Sequence, residues 1–178
     1  MKNLFFALTL FITCSSLSVA QDWINYKSEE LAFIAEFPET PKKSVQEVQT
    51  SVGLIDMHMV MSTPVNDDNG VYSVIKSDYP KSFFDNATEE SNSKVLDGAV
   101  QGAVNNVNGK LLYSNKITFN GFPGRESKIE ITGAYLYLNS YLVNNQMYIN
   151  QVICYADNDN NASIKRFFDS FDIIKVKE

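Results

Sequence analysis

The stretch Ala134 to Val143 is apolar on both of its alternating sets. One set is Ala134, Leu136, Leu138 and Leu142; the other is Tyr135, Tyr137, Tyr141 and Val143. Successive side chains of a strand point to opposite faces, so a strand built this way has no side suited to water. A sheet with one wet face cannot accommodate it. The segment predicts a central strand with a layer packed on each side, and therefore three layers.

A helix supplies one cover. Asn86, Thr88, Glu89 and Glu90 are cap and first-turn residues, and Val95, Leu96, Ala99, Val100, Ala103, Val104 and Val107 then recur at intervals of three and four. That spacing gives one apolar stripe along a helix, and Asn108-Gly109 closes it. Val100 and Val104 sit at the centre of the stripe and are expected to press onto the sheet. Gly98 and Gly102 each cost the helix about 1 kcal/mol relative to Ala, which predicts that they allow a close approach to the sheet.

The remaining segments alternate and are punctuated by turns. Trp23 to Lys27 reads as an edge strand, and Phe33 to Phe37 as a strand stopped by Pro38. Lys42 to Thr50 and Leu54 to Met61 read as a hairpin, and Val71 to Ile75 follows the polar turn Asn66 to Gly70. After the helix come Lys110 to Phe119, a turn running from Asn120-Gly121 through Phe122-Pro123-Gly124, then strands Arg125 to Thr132, Tyr135 to Val143 and Met147 to Ala156. Ile164, Phe167 and Phe168 begin a short helix capped at Asn161 or Ser163, and Phe171, Ile173, Ile174 and Val176 form a closing strand. Five strands, a helix, four strands, a helix and a strand make an α+β domain with a mainly antiparallel sheet.

The N-terminus predicts an address. Lys2, the apolar run Leu4 to Ile12 and the small-residue pattern Ser18-Val19-Ala20 make residues 1–20 a signal peptide, cleaved after Ala20. Residues 21–178 are then one secreted or periplasmic domain. Cys14 offers a competing lipoprotein signal, but Phe11-Ile12-Thr13 matches poorly the small residues that lipoprotein processing prefers. Cleavage leaves 158 of 178 residues, enough to bury a core without staples. It also leaves Cys154 as the sole cysteine, so no intramolecular disulfide is available, and its apolar surroundings mark it as a core thiol.

Charge excludes some partners. With 15 basic and 21 acidic residues the net charge is −6, and loss of Lys2 makes it −7. Basic residues cluster only as Lys42-Lys43 and Lys165-Arg166, which excludes a nucleic-acid surface. No second apolar stretch approaches the ~20 residues of a membrane span.

Three local signatures stand together: Phe33 to Pro41 as aromatic-x-x-x-aromatic-Pro-x-x-Pro, Gly121-Phe122-Pro123-Gly124-Arg125-Glu126, and Phe167-Phe168-Asp169-Ser170-Phe171 before the last strand. The arrangement resembles the PsbP-like proteins, over most of residues 23 to 176. The resemblance implies a three-layer α/β/α sandwich and an exported protein that acts by docking onto larger assemblies. It carries over no catalytic residue and implies no photosystem role.

Chemistry is sparse in the motifs. His58 is the only histidine, so mechanisms needing an imidazole base rest on one strand residue. Paired metal-ligand spacings are absent, and neither a metal nor a cofactor is expected. Asp157 to Asn161 begins like a calcium loop but has Ala162 at the turn glycine and Phe168 at the bidentate acid, so it reads as a helix cap. Glu126, Glu130, Asp157 and Asp159 give no sign of converging. The remaining candidates for ligand or partner contact are Arg125, after the Pro-Gly turn, and Tyr135, Tyr137 and Tyr141, expected under or beside the long helix. The expected function is a non-catalytic interaction module of the cell envelope that binds another protein. The alternative is a small-ligand carrier that uses the tyrosine face, with Arg125 as an anion contact.

Overall fold

A computed structural model of the chain describes residues 22–50 and 53–174. The leader expected over residues 1–20 and Val176 lie outside the described residues. Among these residues, ten strands and two α-helices follow the predicted order: β1 (Ile24–Ser28), β2 (Phe33–Phe37), β3 (Lys42–Thr50), β4 (Gly53–Ser62), β5 (Asn69–Asp78), α1 (Glu89–Asn106), β6 (Lys110–Phe119), β7 (Phe122–Ile131), β8 (Ala134–Val143), β9 (Gln146–Tyr155), α2 (Ala162–Ser170) and β10 (Asp172–Ile173). Seven strands form one antiparallel sheet in the order β3-β4-β5-β9-β8-β7-β6, and β1-β2-β10 form a small second sheet.

These make three layers. β8 is an inner strand, flanked by β9 and β7, and is buried on both faces, as its double apolar alternation requires. α1 lies on one face, across β7 and β8 with its margin on β6. The other face is covered jointly by the small sheet and α2, so the second cover is part sheet and part helix. The larger core lies on this side, where Phe33, Phe37, Tyr72, Tyr148 and Phe167 are wholly buried.

Local chemistry sets the boundaries. The Thr88 hydroxyl accepts the Ser91 amide at 3.1 Å while Ser91 Oγ accepts the Thr88 amide at 2.8 Å, a reciprocal cap that satisfies two otherwise orphan donors. Asn161 Oδ1 caps α2 by accepting the amides of Ser163 and Ile164. Asn120 (φ 49°) and Gly121 (φ 83°) complete the β6–β7 turn in two residues, with both in the left-handed region a tight hairpin needs. Phe122-Pro123-Gly124 therefore belong to β7 and not to the turn. Pro123 is tolerated because pairing with β8 starts only at Gly124, and Gly124 is required because a Cβ there would meet the Ser140 carbonyl at 2.5 Å and the Tyr141 ring at 2.7 Å.

α1 sits differently on the sheet from what its sequence suggested. Leu96 and Val100 are its buried contacts, and Val104 is half-buried, so the deepest contact lies one turn earlier. Gly98 and Gly102 face away from the sheet: both are exposed, and a Cβ at either position meets nothing within 4 Å. They permit no close approach. Gly98→Ala and Gly102→Ala should therefore each raise stability, by about 0.5 to 1 kcal/mol, through gained helix propensity alone. Urea unfolding that shows either variant destabilised would mean that this side of α1 is occupied.

Candidate functional site

The tyrosine face lies beneath the small sheet and α2, not beneath α1. Tyr141 stacks on Phe171 with ring centroids 6.0 Å apart and packs against Phe119 at 4.9 Å. Tyr148 donates its hydroxyl to the Leu31 carbonyl at 3.1 Å, and burial, reinforced by the Asp78 charge, pushes its pKa up to about 12. Tyr137 donates to Asp159 Oδ1 at 2.7 Å, and burial followed by that bond pushes it up to about 12. Tyr135 is half-buried, with the Lys128 ammonium 4.2 Å from its ring centroid. Lys128 also pairs with Asp159 at 2.7 Å. Burial alone would raise the Asp159 carboxyl; the bonds from Lys128 and Tyr137 outweigh it and hold the group below its usual range. The rings are engaged in packing, and the carboxylate is neutralised.

Arg125 is on the opposite face of the sheet. It is 5% exposed and donates to Asp97 Oδ1 at 2.7 Å, to Ser93 Oγ at 2.5 Å and to the Gly124 carbonyl at 3.1 Å. The guanidinium fork thus ties α1 to β7, which makes Arg125 a structural anchor and not a free anion contact. Arg125 and the three tyrosines do not converge, because the sheet separates them.

The other candidates are also accounted for, Asp157 as an exposed residue of the short turn after β9. Glu130 faces Lys110 at 3.9 Å, and Asp159 belongs to the Lys128 pair. Glu126 lies in a polar row that crosses from β6 to β9 as Asn115, Glu126, Asn139 and Asn150, and its inner end, Asn150, is wholly buried. Among the described residues no group of three His, Cys, Asp or Glu side chains is placed to hold a metal ion. Cys154 is buried, which pushes its thiol pKa up and makes it a poor nucleophile. The two polar loops meet: Asn161 Nδ2 donates to Asn69 Oδ1 at 2.8 Å, and Tyr72 donates to Asp67 at 2.7 Å. They stitch α2 to β5. No local motif marks this junction, because its partners stand 92 residues apart.

Among the described residues, one sheet face is left partly open. α1 covers the β6 to β8 end of its face, and β4 and β5 continue beyond it. There Met57, Met59 and Met61 project on one side of β4, with Met59 opposite Ile75 and Ile75 opposite Ile149. The three methionines, Val71, Ile149 and Ile153 are all half-buried, and Ile149 borders the cluster of Leu96, Leu142 and Met147 under α1. Sequence reasoning missed this face because it weighed the covering of β8 alone. The alternation Ile55, Met57, Met59, Met61 carried the signal. Unbranched thioethers adapt their shape to what they meet, and apolar side chains open on a sheet face suit association.

This architecture, an antiparallel seven-stranded sheet with a helix on one face and a small sheet plus helix on the other, is the PsbP-like α+β fold. The solution structure of cyanobacterial PsbP (CyanoP) from Synechocystis sp. PCC 6803 is similar, with a TM-score of 0.56 and 12% identity over 90% of this chain and 97% of that one. No protein-family model matches the sequence, and neither does any curated protein.

Proposed function

We propose that this chain is an exported, non-catalytic binding module of the cell envelope that docks another protein through the open methionine face. The observation that carries the reading is the mismatch between a seven-stranded sheet and a helix that covers only its β6 to β8 end, which leaves Met57, Met59, Met61, Val71 and Ile153 only half-buried on one face. Export is supported by Lys2, the Leu4 to Ile12 run and Ser18-Val19-Ala20, with release after Ala20. The PsbP-like fold supports docking by resemblance alone. A partner that presents an apolar helix face or strand would gain most from methionine side chains, which repack around it.

A photo-crosslinking amino acid placed at Met59 tests the reading in intact cells. It should capture one dominant envelope protein, and capture should fall at least tenfold when Met57→Lys and Met61→Lys are added, since a charge desolvated at an interface core is costly. The same crosslinker at Gln101, on the exposed side of α1, should capture nothing comparable. Equal capture from both positions, or capture that survives the two lysines, would overturn the proposal.

A further inference from the structure

We propose that two copies of this chain join edge to edge through β3, antiparallel about Val45, to form a two-fold dimer with one continuous sheet. β3 ends the seven-stranded sheet, so among the described residues one side of its backbone from Lys42 to Gln49 is open to pairing. The two edges are not alike. β6 carries a bulge between Leu111 and Tyr113, a device that twists an edge away from partners, whereas β3 pairs with β4 in unbroken register from Lys42 to Thr50.

The side chains select a second copy as the occupant. Lysines on an edge ordinarily deter pairing, but β3 reads Lys-Lys-Ser-Val-Gln-Glu-Val and is complementary to itself when reversed. Centred on Val45, the register sets Lys43 opposite Glu47 of the second copy, Ser44 opposite Gln46, and Val45 opposite its own equivalent, with Lys43, Val45 and Glu47 sharing one face. Shifting the centre to Ser44 sets Lys43 against Val45; shifting it to Gln46 sets Glu47 against Val45. The Val45-centred register alone of the three matches opposite charges.

Two independent features of the single chain fit this arrangement. Val45 and Leu54, on the same face, are each 59% exposed, an unusual position for aliphatic side chains beside an open edge. Glu47 lies directly opposite Asp56 within the chain, and neither forms an ion pair among the described residues. Like charges opposite one another destabilise a sheet, and Lys43 of the second copy would bring a cation to this pair. Lys43 already donates to Glu30 at 3.0 Å, and its three donors can serve both carboxylates. The net charge of −6 opposes association at long range, so the pairing is local and suited to ~0.15 M salt, where the screening length is about 8 Å.

Sedimentation equilibrium of the purified protein at that ionic strength should give twice the chain mass at high concentration. Glu47→Lys or Lys43→Glu alone should weaken the dimer at least about tenfold, since each substitution creates two symmetric like-charge contacts. Lys43→Glu with Glu47→Lys should restore it. Val45→Cys should form an intermolecular disulfide on oxidation and Gln49→Cys should not, which reports the register without relying on charge. A protein that stays monomeric, a dimer indifferent to the single reversals, or equal crosslinking from the two cysteines would each overturn the proposal. The methionine face plays no part in these measurements, so their failure leaves the docking reading standing.

Discussion

Val100→Asp is expected to leave the protein largely unfolded at room temperature. Val100 is 3% exposed and, with Leu96, holds α1 on β7 and β8. Aspartate there must either bury an ionised carboxylate or take up a proton, and Arg125, the buried cation of this layer, is committed to Asp97, Ser93 and the Gly124 carbonyl. The cost is several kcal/mol, against a total stability of about 5 to 15 kcal/mol for a domain of this size. Val104→Asp is the informative contrast. Val104 is half-buried, so its carboxylate can reach water and the loss should be at most about half as large. Far-UV circular dichroism with urea unfolding ranks the two. If Val104→Asp proved the more damaging, the position of α1 on the sheet described above would be wrong.

How far the sequence disclosed this fold depends on which physical signal is asked for. Element order was legible because alternation and turn residues act within a few positions: the double apolar set of β8 required two covers, and Asn120-Gly121 marked its hairpin. The assignment of covers was not legible. Alternation says that Tyr137 and Tyr141 share a face, but which helix closes that face depends on contacts between segments distant in the chain. The same limit misplaced Gly98 and Gly102, because a glycine in a helix records a local cost without its reason. Pro123 and Gly124 read as turn residues by their local habit, whereas pairing that starts one residue later and the approach of Tyr141 fit them to a strand.

The candidate site divides along the same line. Arg125 stood out by charge and by the Pro-Gly pair before it, which reads as a turn, and the structure gives it three oxygen partners on the side of the sheet away from the tyrosines. A charged residue entering a two-sided strand needs a partner on whichever face it meets, and Asp97 supplies one from 28 residues away. The methionine row is the reverse case. Its residues look like ordinary core by composition, and only the short reach of α1 across the sheet leaves them half-exposed.

Phe167→Ala should produce the other large loss, and it tests the second cover directly. Phe167 is wholly buried in α2, with ring centroids 5.4 Å from Phe37 of the small sheet and 5.4 Å from Tyr72 of the large one. It therefore joins α2, the small sheet and the large sheet, and its removal opens a cavity that rigid neighbours cannot fill. Aromatic truncations of this kind cost about 3 to 5 kcal/mol. At about 2 to 4 °C per kcal/mol for a domain of this length, the melting temperature should fall by about 6 to 20 °C. Phe168→Ala removes the same ring from a half-buried position in the same helix and should cost clearly less. A thermal melt of both variants decides the matter: equal losses would mean that α2 does not face the sheet through Phe167, and the joint cover of small sheet and helix would have to be abandoned.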